Sequence, residues 1–347
     1  MESIVLEPFD SEYLGLLKTR VVMSAMSRSF AGTHHTCTAD IANYYERRAI
    51  DGVALIITEG IVIHTSGDGY NNVPHLQTKE QAESWENTVS KVQATGTKIF
   101  AQLWHCGRIS HPDYTGGVSI VSSSNKKAEG INRQNGKPFG VPRTIELSEI
   151  PEILKMYVDA AGNAFKAGFD GVEIHMGHGY LIDQFFDSRI NNRNDAYGGS
   201  VENRCRIAIE LISVLIDKYG PGKVMIRISP SRYMNGLYEW PELEEMLNYF
   251  IPKISEIGLR LLDVSCAAAD YYQTSGKIIR MIRKQWDHFL IGGASLSLSQ
   301  ADSEIIEGLL EMVTWGRYIL ANPDFVTRLK TGKELRVLTD EIRSILY

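Results

Sequence analysis

Four cysteines in 347 residues, Cys37, Cys106, Cys205 and Cys266, leave no C-x-x-C pair anywhere in the chain. This sparse usage excludes the common cysteine frameworks of structural zinc and iron–sulfur clusters, and it argues for a reducing compartment over a disulfide-stapled scaffold. No apolar run approaches the roughly 18 residues that a bilayer-spanning helix requires. The opening Met1-Glu2-Ser3-Ile4 carries an early acid and no apolar h-region, so a cytoplasmic location is expected. A basic excess is missing too. Lys and Arg total 36 against 42 Asp and Glu, for a net charge of -6, whereas nucleic-acid binding needs a cationic footprint. Neither G-x-G-x-x-G nor G-x-x-x-x-G-K-[ST] occurs. Gly67-Asp68-Gly69 begins the first and continues as Tyr70-Asn71-Asn72, so no Rossmann dinucleotide domain is expected.

What is present is a 44% hydrophobic chain, ample for a packed core. Short β-branched runs alternate with longer amphipathic ones, the pattern of repeated strand–helix units. Strands are predicted over 20–24, 53–58, 98–103, 171–175, 224–228, 261–264, 289–292 and 312–315. Helices are predicted over 39–50, 79–95, 147–167, 201–219, 241–257, 276–285, 299–310 and 323–331. Ser200 is placed to N-cap the fourth helix, with Glu202 in its first turn, while Gly168, Gly220 and Gly258 fall where helices should stop. Eight such pairs point to an α/β fold, a single (β/α)8 TIM barrel over 1–347. The stretch 106–146 is rich in Gly, Ser, Pro and Asn and has no clear helix. It is too long for an ordinary connection and reads as a lid excursion after strand 3.

Barrel active sites lie at the C-terminal ends of the strands, and polar or Gly residues gather there. The fourth strand runs into His175-Met176-Gly177-His178-Gly179-Tyr180. Two imidazoles three residues apart, on a turn that Gly177 and Gly179 allow to be tight, can grip one carbonyl or nitro oxygen. A neighbouring phenol suits proton delivery to a carbanion-like carbon. A zinc reading of His175 and His178, completed by Glu173 or Asp183, stands beside this one and would make a metal-dependent hydrolase. Gly292-Gly293 after strand seven and Gly316-Arg317 after strand eight form a candidate phosphate site. Gln102 and Arg227 project into the barrel mouth, where a cation needs an anionic partner: a reduced flavin ring, or a structural pair with Glu59 or Asp263. Trp104 is a candidate pocket wall, and Tyr271 and Tyr272 either line the pocket or cover the rim.

Several long motifs, in order, make the chain resemble the old yellow enzyme family of FMN-dependent ene-reductases. They are the runs at 20–28 (Arg-Val-Val-Met-Ser-Ala-Met-Ser-Arg), 44–49 (Tyr-Tyr-Glu-Arg-Arg-Ala), 55–59 (Leu-Ile-Ile-Thr-Glu) and 101–108 (Ala-Gln-Leu-Trp-His-Cys-Gly-Arg). The block from Gly171 through Arg204 and the run 315–323 (Trp-Gly-Arg-Tyr-Ile-Leu-Ala-Asn-Pro) complete the series. The resemblance implies FMN across the barrel mouth. Its ring would be lined by Ser24, Ala25, Met26, Ser27 and Gly60, its pyrimidine edge would meet Gln102 and Arg227, and its phosphate would sit at Gly292, Gly293, Gly316 and Arg317. It further implies reduction by NADPH or NADH, then hydride transfer from flavin N5 to an electron-poor alkene. That alkene would be bound at His175, His178 and Trp104, with Tyr180 as proton donor. Ser27 stands where relatives commonly carry Thr or Cys. The absence of a cysteine cluster places the chain with the short FMN-only branch. A non-catalytic flavin-binding barrel is the remaining alternative, and the oligomeric state stays open.

Overall fold

The computed structural model describes residues 3–233, 236–266 and 269–346. Eight parallel strands form its centre: β1 Val21–Met23, β2 Leu55–Ile57, β3 Lys98–Trp104, β4 Gly171–His175, β5 Val224–Arg227, β6 Leu261–Ser265, β7 Phe289–Gly293 and β8 Met312–Trp315. β8 pairs with β1 and β2 with β3, so the sheet closes and every barrel strand has two neighbours. The fold is the (β/α)8 barrel that the alternation predicts, with each strand within two residues of its expected bounds.

The outer helices are α1 Ala39–Asp51, α2 Glu86–Gln93, α3 Ile150–Lys166, α4 Val201–Tyr219, α5 Leu243–Glu256, α6 Ser275–Ile282, α7 Leu298–Ile306 and α8 Phe325–Thr331. Ser200 Oγ accepts from Asn203 N at 3.3 Å and caps α4, while Gly220 and Gly258 turn the chain at φ 87° and 94° after α4 and α5. The helix expected over 79–95 is two pieces, Lys79–Glu83 and α2. Ser84 between them donates its hydroxyl back to Gln81 O and accepts from Cys37 N, which offers the backbone an alternative to continuing. Sequence periodicity also missed three short helices, Leu181–Phe186, Arg317–Ala321 and Asp340–Arg343, and an N-terminal hairpin of Phe9–Ser11 with Gly15–Leu17.

Strand alternation sorts the barrel interior into layers. Val22, Leu55, Phe100, Met225, Leu261 and Met312 fill its lower half as one apolar cluster, closed from below by Leu14 and Leu17 of the hairpin. Gly171 makes room there, since a Cβ would lie 2.5 Å from the Phe100 ring. Their neighbours along each strand, such as Ile56, Ile99, Val172, Ile226, Leu262 and Val313, face outward into the helix layer. One step further toward the C-terminal ends the interior turns polar, with Gln102, Glu173, Arg227, Asp263 and Thr314 all buried. An apolar floor under a polar layer leaves specific chemistry only at the upper mouth. Among the described residues no helix is long and apolar enough to cross a membrane.

Candidate active site

A cavity of about 830 Å³ opens at the C-terminal ends of the strands. Nine of the residues singled out from the sequence line it: Ala25, Ser27 and Gly60 on one side, Gln102 and Arg227 below, and Trp104, His175, His178 and Tyr180 across from them. Ser24, Met26, Gly292, Gly293, Gly316 and Arg317 do not line it. Ser24 donates its N–H to Trp315 O at 3.1 Å, and Met26 Sδ lies 3.1 Å from the place a Gly316 Cβ would occupy, tying the ends of β1 and β8 together. Gly293 faces inward, where a Cβ would lie 2.3 Å from Thr314 O. Gly292 faces the other way. Its missing Cβ accommodates Ile279 and Leu310, and its pairing with Val264 and Val313 fixes it in the sheet.

The turn after β4 is held from several directions. His178 takes the left-handed conformation at φ 56° and Gly179 follows at φ 80°, a geometry that costs a non-glycine residue about 1–2 kcal/mol. The surroundings enforce it. His178 N donates to Ser229 Oγ at 2.6 Å and Gly179 N to Asp183 Oδ2 at 2.6 Å. Ser229 also leaves no space for a Cβ at Gly177. Asp183, fully enclosed, accepts from Trp240 Nε1 at 2.6 Å and pairs with Arg232 at 2.8 Å. The result sets the His175 and His178 rings 5.3 Å apart and the His175 and Tyr180 rings 5.0 Å apart.

His175 Nδ1 and both ring nitrogens of His178 are shielded from solvent yet have no partner among the described residues. Buried polar atoms left in this state mark the place of a ligand. Burial, reinforced by the Arg227 charge, holds both imidazoles well below their ordinary pKa, so they face the cavity as neutral rings with one N–H each. Burial also pushes the Tyr180 phenol well above its usual value and keeps its proton in place. Its hydroxyl lies 2.9 Å from that of Tyr70, whose ring packs 4.7 Å from Trp104.

The lower wall fits a flat ring with one polar edge. Gln102 and Arg227 reach the cavity beside Ala25, Ser27 and Gly60, and Arg227 Nε has no donor contact closer than the 3.6 Å approach to Asp263. Of the partners in the sequence reading, the Asp263 carboxylate lies below Arg227, and the cavity opens above it. At the far end, Arg317 is exposed with a single long contact, 3.4 Å to Ser295 Oγ, and remains available to a phosphate.

Sequence reasoning missed Tyr70, Tyr233, Ile109, Phe139 and the segment 129–134, which complete the lining. Tyr70 belongs to the Gly67–Gly69 stretch that fails as a dinucleotide motif. The other missed residues, Tyr233 apart, come from the excursion over 106–146, held by Asn132 Nδ2 donating to Gly69 O at 2.8 Å. Gln184, fully buried, joins this excursion to the turn after β4: its amide donates to Cys106 O and Gly179 O, and its carbonyl accepts from Arg108 N and Ser122 Oγ. Tyr271 hydrogen-bonds Glu304 and Tyr272 lies exposed over Arg280, so both cover the rim. The carboxylates of the zinc reading are committed elsewhere, Glu173 to Gln102 and Asp183 to Arg232. The metal-capable cluster found among the described residues is His35, Asp68 and His75. There the two imidazoles stack at 3.7 Å, with His75 Nε2 bonded to Asp68 Oδ2 at 2.8 Å and His35 Nδ1 to Val73 O at 2.9 Å.

The family model described as NADH:flavin oxidoreductase / NADH oxidase matches residues 5–336. The chain is 32% identical to 12-oxophytodienoate reductase 7 of Oryza sativa subsp. japonica over 345 residues, covering 92% of this chain and 86% of that one. It superposes on the old yellow enzyme homologue from Zymomonas mobilis with TM-score 0.91 at 30% identity, covering 98% of this chain and 96% of the other. Morphinone reductase, also solved in complex with tetrahydroNAD, matches with TM-score 0.88 at 30% identity over 99% and 93% of the two chains. A family model spanning residues 5–336 and relatives matched along nearly the whole barrel therefore place the chain in the old yellow enzyme family, with FMN as cofactor and a nicotinamide nucleotide as its reductant.

Proposed function

We propose that this enzyme reduces electron-poor C=C bonds, and nitro compounds of similar shape, in the cavity bounded by His175, His178 and Tyr180. The observation that carries this reading is the set of three solvent-shielded imidazole nitrogens without partners among the described residues, opposite a phenol that keeps its proton. When bound, FMN supplies a two-electron store that the nicotinamide nucleotide fills and that delivers a hydride to the substrate's β-carbon. Gln102 and Arg227 would hold its pyrimidine edge, Ser24, Ala25, Met26, Ser27 and Gly60 its ring, and Gly292, Gly293, Gly316 and Arg317 its phosphate, with Gly292 contributing through the placement of its neighbours.

His175 and His178 each give one N–H to the substrate's carbonyl or nitro oxygen and stabilise the negative charge that develops there. Being neutral, they do so without losing a proton at working pH. Tyr180 gives its phenolic proton to the α-carbon, and Tyr70 holds that hydroxyl in place and shares the resulting charge. Trp104 backs both tyrosines. The excursion over 106–146 serves as the lid that keeps water from the site within one FMN-binding domain. This shape favours a small molecule with one polar end, and the shared pocket explains why the reductant needs no dinucleotide fold of its own.

Tyr180→Phe tests the assignment. Reduction of the flavin by NADPH or NADH should proceed at nearly the parent rate, while turnover of an enone such as cyclohexenone drops roughly 10²–10⁴-fold, the span of general acid catalysis. Parallel loss of both half-reactions would overturn the proton-donor role.

A further inference from the structure

Beneath the cavity floor lie two carboxyl groups that the proposed chemistry does not use. Glu173 on β4 and Asp263 on β6 are both completely enclosed; they stand on the two strands that flank β5, Asp263 in register with Arg227 and Glu173 with Met225, and each acts on the other's titration. Glu173 Oε2 accepts from Gln102 Nε2 at 2.6 Å, and Asp263 Oδ1 accepts from Ser265 Oγ. Among the described residues the other oxygens, Glu173 Oε1 and Asp263 Oδ2, have no hydrogen-bond donor, the Arg227 Nε approach to Oδ2 staying at 3.6 Å. The groups around the pair are Gln102 from β3, His175 further up β4, Arg227 from β5, Ser265 from β6 and Thr314 from β8, the last bonded to Ser265 at 2.7 Å. Arg227 is the one cation among them, and burial keeps His175 neutral.

Two enclosed carboxylates beside one guanidinium would leave a net negative charge out of water and two carboxylate oxygens without donors. Either is costly at this depth. One proton removes both problems, because it supplies the missing donor and brings the trio to zero charge. Like-charged carboxyls this close cannot both ionise. Of the two, Asp263 has the ion pair to Arg227 and the serine hydroxyl, while the one side chain that hydrogen-bonds Glu173 among the described residues is a neutral amide, so the proton belongs on Glu173.

We infer that Glu173 is a neutral carboxylic acid that donates to Asp263, and that this pair sets how much of the Arg227 charge reaches the ring above it. A neutral Glu173 leaves one anion against one cation. An ionised Glu173 would over-neutralise Arg227 and make the reduced, anionic ring harder to form. Glu173 and Asp263 act through Arg227, so they are positioning residues, and their signature is a potential and a vibration, not a turnover number.

Difference infrared spectroscopy of the holoenzyme at neutral pH should show a protonated-carboxyl C=O band that shifts in D₂O and disappears in Glu173→Gln. Glu173→Gln preserves shape, donor and charge, so the flavin midpoint potential should stay at the parent value. Asp263→Asn removes the anion and should favour the reduced flavin by at least tenfold, about 30 mV for a two-electron couple. If Asp263→Asn does not retain FMN, the band and the Glu173→Gln potential still decide. No carboxyl band at Glu173, or a rise of 30 mV or more in Glu173→Gln, would overturn the inference. The potentials rest on FMN lying over Arg227 as proposed above, whereas the band does not. A band present with potentials unmoved in both variants would refute the coupling to the ring while leaving the shared proton intact.

Discussion

Asp183 offers a sharp test of how the turn after β4 is built. Its carboxylate pairs with Arg232 at 2.8 Å and accepts from both Gly179 N and Trp240 Nε1 at 2.6 Å. Burial lifts this carboxyl above its ordinary pKa even with Arg232 beside it, so the pair exists against a desolvation penalty. Asp183→Asn keeps the volume and removes the charge. Arg232, only 4% exposed, is then a buried cation without its anion, which costs about 3–5 kcal/mol. The amide can accept from Gly179 N or from Trp240 Nε1, but its NH₂ end meets the other donor head-on. Urea denaturation should show that loss as a lower midpoint with unchanged slope. Phenol, which mimics an enolate, should bind more weakly as His178 leaves its left-handed conformation. Replacing the whole pair, Asp183→Asn with Arg232→Met, takes the orphaned cation away, and most of the stability should return without the phenol affinity. A single-variant loss below about 1 kcal/mol, or a double variant no more stable than the single, would refute this account of the turn.

Three further outcomes follow from neighbouring contacts. Burial raises the Glu59 carboxyl from 4.5 to about 7. A folded value above the unfolded one means that the native state binds this proton more tightly, so its contribution is complete below pH 4.5 and is lost as pH rises through 7. At 1.36 kcal/mol per unit this amounts to about 3 kcal/mol. Glu59→Gln should flatten thermal stability between pH 5 and 8, and an undiminished slope would contradict it. Tyr70→Phe leaves the Tyr180 hydroxyl without its 2.9 Å partner. Loss of one neutral hydrogen bond, about 1 kcal/mol, should slow enone turnover roughly fivefold while sparing flavin reduction, and stopped-flow measurement of the two half-reactions separates these. Gly60→Ala puts a Cβ 2.5 Å from Trp104 Cε3. Overpacking of this kind costs about 1–3 kcal/mol, and a variant with parental melting temperature would show that Trp104 yields freely.

The fold was legible because its two periodicities do not overlap: eight short runs buried on both faces cannot be mistaken for the amphipathic helices between them. Within the site, what could be read was whatever a strand carries. Gln102, Arg227, His175 and Trp104 are each delivered to the mouth by alternation along β3, β4 or β5, so their shared cavity follows from counting by twos. Gly292 shows the limit of that arithmetic. A paired glycine reads as a phosphate cradle, yet the counting itself puts Gly292 outward, where Ile279 fills the missing Cβ. Nothing local marks Asp183 and Arg232 as a pair, 49 residues apart, because the contact exists only once the barrel has closed and the segment after β5 has folded back over β4. Tyr70 was hidden for the same reason: its partner is 110 positions away. Gln184 looks like any helical glutamine until its amide is found between the start of the 106–146 excursion and the turn after β4. A strand writes its chemistry into the sequence with a fixed period. The groups that hold a turn under strain are recruited from wherever closure brings a complementary atom, so they leave no spacing to find.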